Sequence, residues 1–142
     1  MRTEKDKLGA LELDDNVLYG IQTARAAKNF DLKHKKTQMS LINAIVLVKK
    51  AAALTYIKMG IGQDKVYPAI VKACDHILAS GADEAFITEA LQGGAGTSTN
   101  MNVNEVIANL ALKELNYTCG RYDIIHPLDD VNRGQSTNDV YP

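Results

Sequence analysis

Residues 41–59 constrain the fold more than any other stretch of the chain. Leu41, Ile42, Ala44, Ile45, Val46, Leu47 and Val48 are apolar on every side of a 3.6-residue helix, so this half calls for neighbours over most of its surface. The β-branched residues between 45 and 48 would also suit a strand. The length of the segment and the Ala51-Ala52-Ala53 run that follows Lys49-Lys50 decide for helix. Ser40 is predicted to cap its start, and Gly60 stands where a left-handed C-terminal residue is wanted. A helix of this kind needs a domain around it, and 142 residues are enough for one with a sizeable core.

Two further helices follow from the same periodicity. Residues 64–79 carry a stripe of Val66, Ile70, Ala73 or Cys74 and Ile77, with Asp64 as cap, Pro68 within the first turns and Gly81 as the stop. Residues 101–115 place Val103, Val106 or Ile107, Leu110 and Leu115 on a core face, and Asn116 and Gly120 end the helix. Residues 17–28 form a shorter helix ended by Asn29-Phe30, and 31–39 read as an exposed basic connection. The expected class is therefore mainly α, with any β structure a short hairpin in the first forty residues or near 118–126. A last element begins near Ser136 and has barely started at Pro142.

Charge and cysteine content exclude several classes. Sixteen Lys and Arg against seventeen Asp and Glu leave a net charge of −1. No nucleic-acid partner working by phosphate neutralisation and no polybasic membrane surface is expected. The run from Leu41 to Val48 is too short for a bilayer, and the charged N-terminus lacks the apolar region of a secretory signal. Cys74 and Cys119 match neither a disulfide scaffold nor a metal site, which makes a reducing cytoplasm the expected location. Cys74 falls on an apolar stripe and is expected to be packed rather than reactive. His34, His76 and His126 have no ligating partner at helical spacing, so no metal site is expected. The Lys33–Lys36 run reads as a solvated face.

Two segments carry chemistry. Gln92-Gly93-Gly94-Ala95-Gly96-Thr97-Ser98-Thr99-Asn100 combines glycines that permit close backbone approach with hydroxyls and an amide just before a helix. That is the composition of an anion site at a positive helix end. It is neither a P-loop nor a dinucleotide fingerprint, so no cofactor is expected. Asn132-Arg133-Gly134-Gln135-Ser136-Thr137-Asn138-Asp139 repeats the pattern. Each segment taken alone could be a helix-capping motif. Two such clusters in one short domain suit a small dicarboxylate held without burying extra charge. Glu105, early in the third helix, is expected to favour that helix's dipole and to need no catalytic role.

The first segment, continued through Met101-Asn102 and Asn104-Glu105-Val106, resembles the first conserved block of the aspartase/fumarase superfamily. Gln135-Ser136-Thr137-Asn138-Asp139 with Tyr141-Pro142 resembles the next block. The interval between them is similar too. Arg2, Glu4, Asp6-Lys7-Leu8-Gly9, Tyr19-Gly20-Ile21-Gln22-Thr23-Ala24-Arg25-Ala26, Asn29-Phe30, Val48-Lys49-Lys50-Ala51-Ala52-Ala53 and Ala73-Cys74-Asp75 extend the likeness over nearly the whole chain. Within the superfamily, Ala95 stands where fumarases carry the serine of Thr-Gly-Ser-Gly-Thr, which points to the aspartase branch. The His126-Pro127-Leu128-Asp129-Asp130-Val131-Asn132 stretch resembles a fumarase segment that forms a second dicarboxylate site, but Leu128 replaces an asparagine there. Asp14-Asp15-Asn16 departs from relatives that carry a proline.

The resemblance implies elimination of ammonia from L-aspartate to give fumarate. It implies Thr97, Ser136 and Thr137 as carboxylate-binding hydroxyls and Asn138 as a substrate-contacting amide. It further implies a homotetramer built on a central helix bundle, a site assembled from three subunits, and a base serine in a Gly-Ser-Ser loop that has no counterpart here. Residues 1–142 then correspond to the N-terminal domain, with the bundle beginning at about 136–142, no catalytic base in this stretch, and no activity in isolation. A class II fumarase and a non-catalytic helical association domain are the alternatives.

Overall fold

The computed structural model describes residues 1–33 and 35–141. His34 and Pro142, named above in the histidine set and at the end of the second block, lie outside the described residues. The chain opens with an antiparallel hairpin, β1 (Arg2–Asp6) and β2 (Gly9–Leu13), in which Arg2 pairs with Leu13 and Asp6 with Gly9. Then come α1 (Ile21–Asn29), α2 (Met39–Met59), α3 (Val66–Ser80) and α4 (Thr97–Glu114). A π-helical turn at Pro127–Val131 leads to the short α5 (Thr137–Val140). The mainly helical class and the early hairpin are as read from the sequence; among the described residues no strand forms near 118–126.

The core is a three-helix layer. Ile42, Ile45 and Val46 of α2, Ile70, Cys74 and Ile77 of α3, and Val103, Ile107 and Leu112 of α4 form one buried cluster, closed by Ile125. Burying each large aliphatic contributes roughly 1.5–3 kcal/mol. α2 departs from the expectation of burial on most sides. Only one of its faces meets α3 and α4, and Leu47, Val48 and Leu54 remain 55%, 42% and 47% exposed. The complete helix is longer than the apolar run read from the sequence, and by length and composition alone it could cross a membrane. Its inner face belongs to the core.

Helix ends differ from the sequence reading where a backbone or distant group does the capping. α2 starts on Gln38, whose carbonyl receives the N–H groups of Leu41 and Ile42 at 3.0 and 3.1 Å, rather than on Ser40. α3 starts on Lys65, and Asp64 makes no cap. Gly60 does close α2, at φ 65°, donating to Ile57 and Tyr56 carbonyls. α1 starts at Ile21, four residues later than expected. The Arg2 guanidinium pins the preceding segment by donating to the carbonyls of Asp14, Val17 and Tyr19 at 2.7, 3.0 and 2.8 Å.

Glu105 is the main correction. It lies in the middle of α4, only 1% exposed, and serves α1 rather than its own helix. Its carboxylate accepts the N–H groups of Gly20, Gln22 and Thr23 at 2.8, 2.9 and 3.1 Å and the Thr23 hydroxyl. The remaining first-turn donor, Ile21 N–H, goes to Glu4 at 2.8 Å. Two buried carboxylates thus satisfy the orphan donors that every helix start leaves. Burial pushes the Glu105 carboxyl above the usual carboxylate range, opposed by the bonds from Thr23, Gln22 and Gly20. Burial and the charges of Glu105 and Glu4 also raise the neighbouring Tyr122 phenol.

Candidate functional site

α4 begins at Thr97, four residues before the expected start, so the hydroxyls lie inside its first turn. Gly96 precedes it at φ 81°, a conformation that disfavours a side chain. The cap comes from Gln92. Its Oε1 accepts Thr99 N–H at 3.0 Å, and its Nε2 donates to Thr99 Oγ1 at 2.6 Å and to Glu89 O at 2.7 Å. Thr99 is fully buried, its hydroxyl also meeting that of Thr37 at 3.2 Å. It is therefore structural. Thr97 and Ser98 open the helix, and among the described residues neither of their N–H groups meets a protein acceptor.

The second segment is built on the π-helical turn. His126 Nδ1 accepts Leu128 and Asp129 N–H at 3.1 and 3.2 Å, while Asp130 accepts His126 N–H at 2.8 Å. His126 thus holds the turn together. Beyond it, Asn132 Nδ2 donates to Gln135 O at 2.8 Å and Gln135 Nε2 donates to Val131 O at 3.1 Å. Ser136 precedes α5 with extended backbone, and its hydroxyl makes no cap. Neither segment therefore uses its hydroxyls as a capping motif.

Asn100 joins the two. Its Nδ2 reaches Asn132 Oδ1 at 3.1 Å and Thr137 Oγ1 at 3.1 Å. The Tyr141 ring closes over Gly96. Thr137 is thereby set against the first turn of α4, with Ser136 and Asn138 flanking it in the chain. Among the described residues the side chains of Thr97, Ser136 and Asn138 have no hydrogen-bond partner, and all three are exposed. The result is an open wall of neutral donors at a positive helix end. Asp139 lies in the first turn of α5, exposed. A cleft of about 470 Å³ lies elsewhere, between the β1–β2 turn, α1, Met101, Tyr122 and Leu128, and contains none of the four expected residues.

Sequence reasoning missed Lys49. It is 1% exposed, and its Nζ donates to Asn132 Oδ1 at 3.0 Å and Gln135 Oε1 at 3.2 Å. Burial lowers its pKa to about 8. A signal was present: Lys49 falls on the buried stripe of Ile42, Ile45, Val46 and Ala53. Cys74 is buried as expected, its thiol pushed up to about 12 by burial. His76 is exposed, in line with a solvated histidine.

A family model described as a lyase matches residues 9–142, and the chain belongs to that lyase family. It is 48% identical to the aspartate ammonia-lyase of Helicobacter pylori (strain ATCC 700392 / 26695), over 100% of this chain and 31% of that protein. A class II fumarate hydratase of Wigglesworthia glossinidia brevipalpis is 45% identical over 99% of this chain and 30% of its own length. The crystal structure of fumarate lyase:delta crystallin from Brucella melitensis in native form superposes with a TM-score of 0.95 at 48% identity, covering 99% of this chain and 33% of that one. The chain thus spans about a third of the length of the curated relatives it matches.

Proposed function

We propose that this chain forms the N-terminal part of an enzyme that eliminates ammonia from L-aspartate to give fumarate. The observation that carries the reading is the pairing, through Asn100, of two donor segments whose Thr97, Ser136 and Asn138 side chains and Thr97 and Ser98 N–H groups are uncommitted. Loss of a Cβ proton places a second negative charge on the adjacent carboxylate. Donors already aimed at that group gain most as the charge grows, so they stabilise the transition state more than the bound substrate. In this reading Thr97, Ser136 and Thr137 bind the carboxylate and Asn138 contacts the substrate. The proton is taken by a serine in a part of the enzyme beyond these residues. The complete enzyme is a cytoplasmic homotetramer with sites shared among subunits.

The similarity to a class II fumarate hydratase supports a second reading, hydration of fumarate. Ala95, exposed beside Gly96, speaks against it, because it offers no hydroxyl at that point of the loop. The test follows fumarate absorbance with the full-length enzyme given L-aspartate or L-malate. Turnover of L-aspartate is expected to exceed that of L-malate by about 100-fold. Faster turnover of malate reverses the assignment. Residues 1–142 alone are expected to stay at the buffer rate, since one wall forfeits most of the roughly 7–11 kcal/mol that a preorganised site supplies.

A further inference from the structure

Lys49 is a buried cation with no carboxylate partner among the described residues. An ammonium has three hydrogens and no acceptor. It therefore obliges Asn132 and Gln135 to turn their amide oxygens inward, and their NH₂ groups meet the carbonyls of Gln135 and Val131 on the other side. With Asn132 Oδ1 fixed as an acceptor, Asn100 must offer Nδ2 to it. The second hydrogen of the same NH₂ falls on Thr137 Oγ1 at 3.1 Å. Thr137 accepts from within, so its own hydrogen is released outward, where a carboxylate can only accept. We infer that Lys49 is a positioning residue which, through Asn132 and Asn100, sets the direction of these hydrogen bonds and makes the Thr137 hydroxyl a donor to the substrate carboxylate; this rests on the functional reading above.

A charge that merely fills the core would act independently of Thr137, whereas a director of Thr137 would not. The decisive experiment is a double-mutant cycle of Lys49→Met and Thr137→Val in the full-length enzyme. Thr137→Val is expected to lower kcat about 30-fold alone and no more than about threefold in the Lys49→Met background, with KM within about threefold throughout. Equal losses in the two backgrounds, or Lys49→Met with wild-type kcat, overturn the inference. Should Lys49→Met fail to fold, the same cycle with Asn100→Ser, one link nearer Thr137, carries the same expectations. Wild-type enzyme that turns over neither L-aspartate nor L-malate defeats the functional reading instead. Amide exchange then decides the inference: residues 136–140 are expected to exchange at least about tenfold faster in Lys49→Met, and unchanged exchange overturns it.

Discussion

The ring of Tyr141 lies over Gly96 so closely that a methyl group at Gly96 would overlap it. This contact fastens the end of the second donor segment to the start of α4, and it depends on a residue without a side chain. Gly96 also has φ 81°, which costs an alanine roughly 1–2 kcal/mol in its own right. Gly96→Ala is expected to lift α5 from α4 and cut kcat of the full-length enzyme by about tenfold or more, while the α2–α3–α4 core keeps its helical far-UV spectrum. Steady-state kinetics beside circular dichroism checks both halves.

Thr97→Ala separates ground-state binding from transition-state stabilisation. Among the described residues the Thr97 hydroxyl has no partner, so its removal leaves no orphan among them. Charge builds on the bound carboxylate only as the proton departs. A fall in kcat of about 100-fold with KM changed less than about threefold is expected. Initial rates across L-aspartate concentrations measure it.

Lys49 gives a pH signature. Its folded pKa is about 8, below the ordinary 10.5, because burial disfavours the charged form. Between those values the unfolded chain holds a proton that the native chain has lost, so stability rises with pH through that window. The whole shift is worth at most about 3 kcal/mol. Cys74 acts in the opposite sense above about pH 9, since its buried thiol keeps a proton that the unfolded thiol releases. Urea midpoints of the 142-residue chain and its Lys49→Met variant, taken between about pH 7 and 10, are expected to diverge in favour of wild type as pH increases.

Glu105 supports four donors of α1. Glu105→Ala leaves them without their acceptor and is expected to cost roughly 3–5 kcal/mol, while Glu105→Gln retains one acceptor and costs roughly half as much. Denaturant titration of the two variants tests the order. Equal losses would show that packing rather than capping sets the requirement.

Elements governed by nearby residues were legible in the sequence. The apolar stripe of α3 and the αL glycine after α2 act within one or two turns, and both were placed. The start of α4 was not, because Thr97, Ser98 and Thr99 look like caps while the actual cap is Gln92, across a glycine loop. The hydroxyl segments pair by composition and resemblance. What aligns them, Asn100 between Asn132 and Thr137 and Lys49 behind Asn132, involves partners far apart in the chain. Glu105 reads as serving its own helix because the helix it caps lies 82–85 residues away. Period and spacing carry no information over such separations.

The same distance sets a schedule during synthesis. α1 has nine residues, too few to persist alone in water, and no cap from its own neighbours. The Thr23 amide must wait for a carboxylate 82 residues further along the chain. At roughly 5–20 residues per second, a ribosome takes about 4–16 s to cover that stretch. For that interval the hairpin and the residues of α1 are a nascent segment without the Glu105 carboxylate, open to whatever first meets a growing chain.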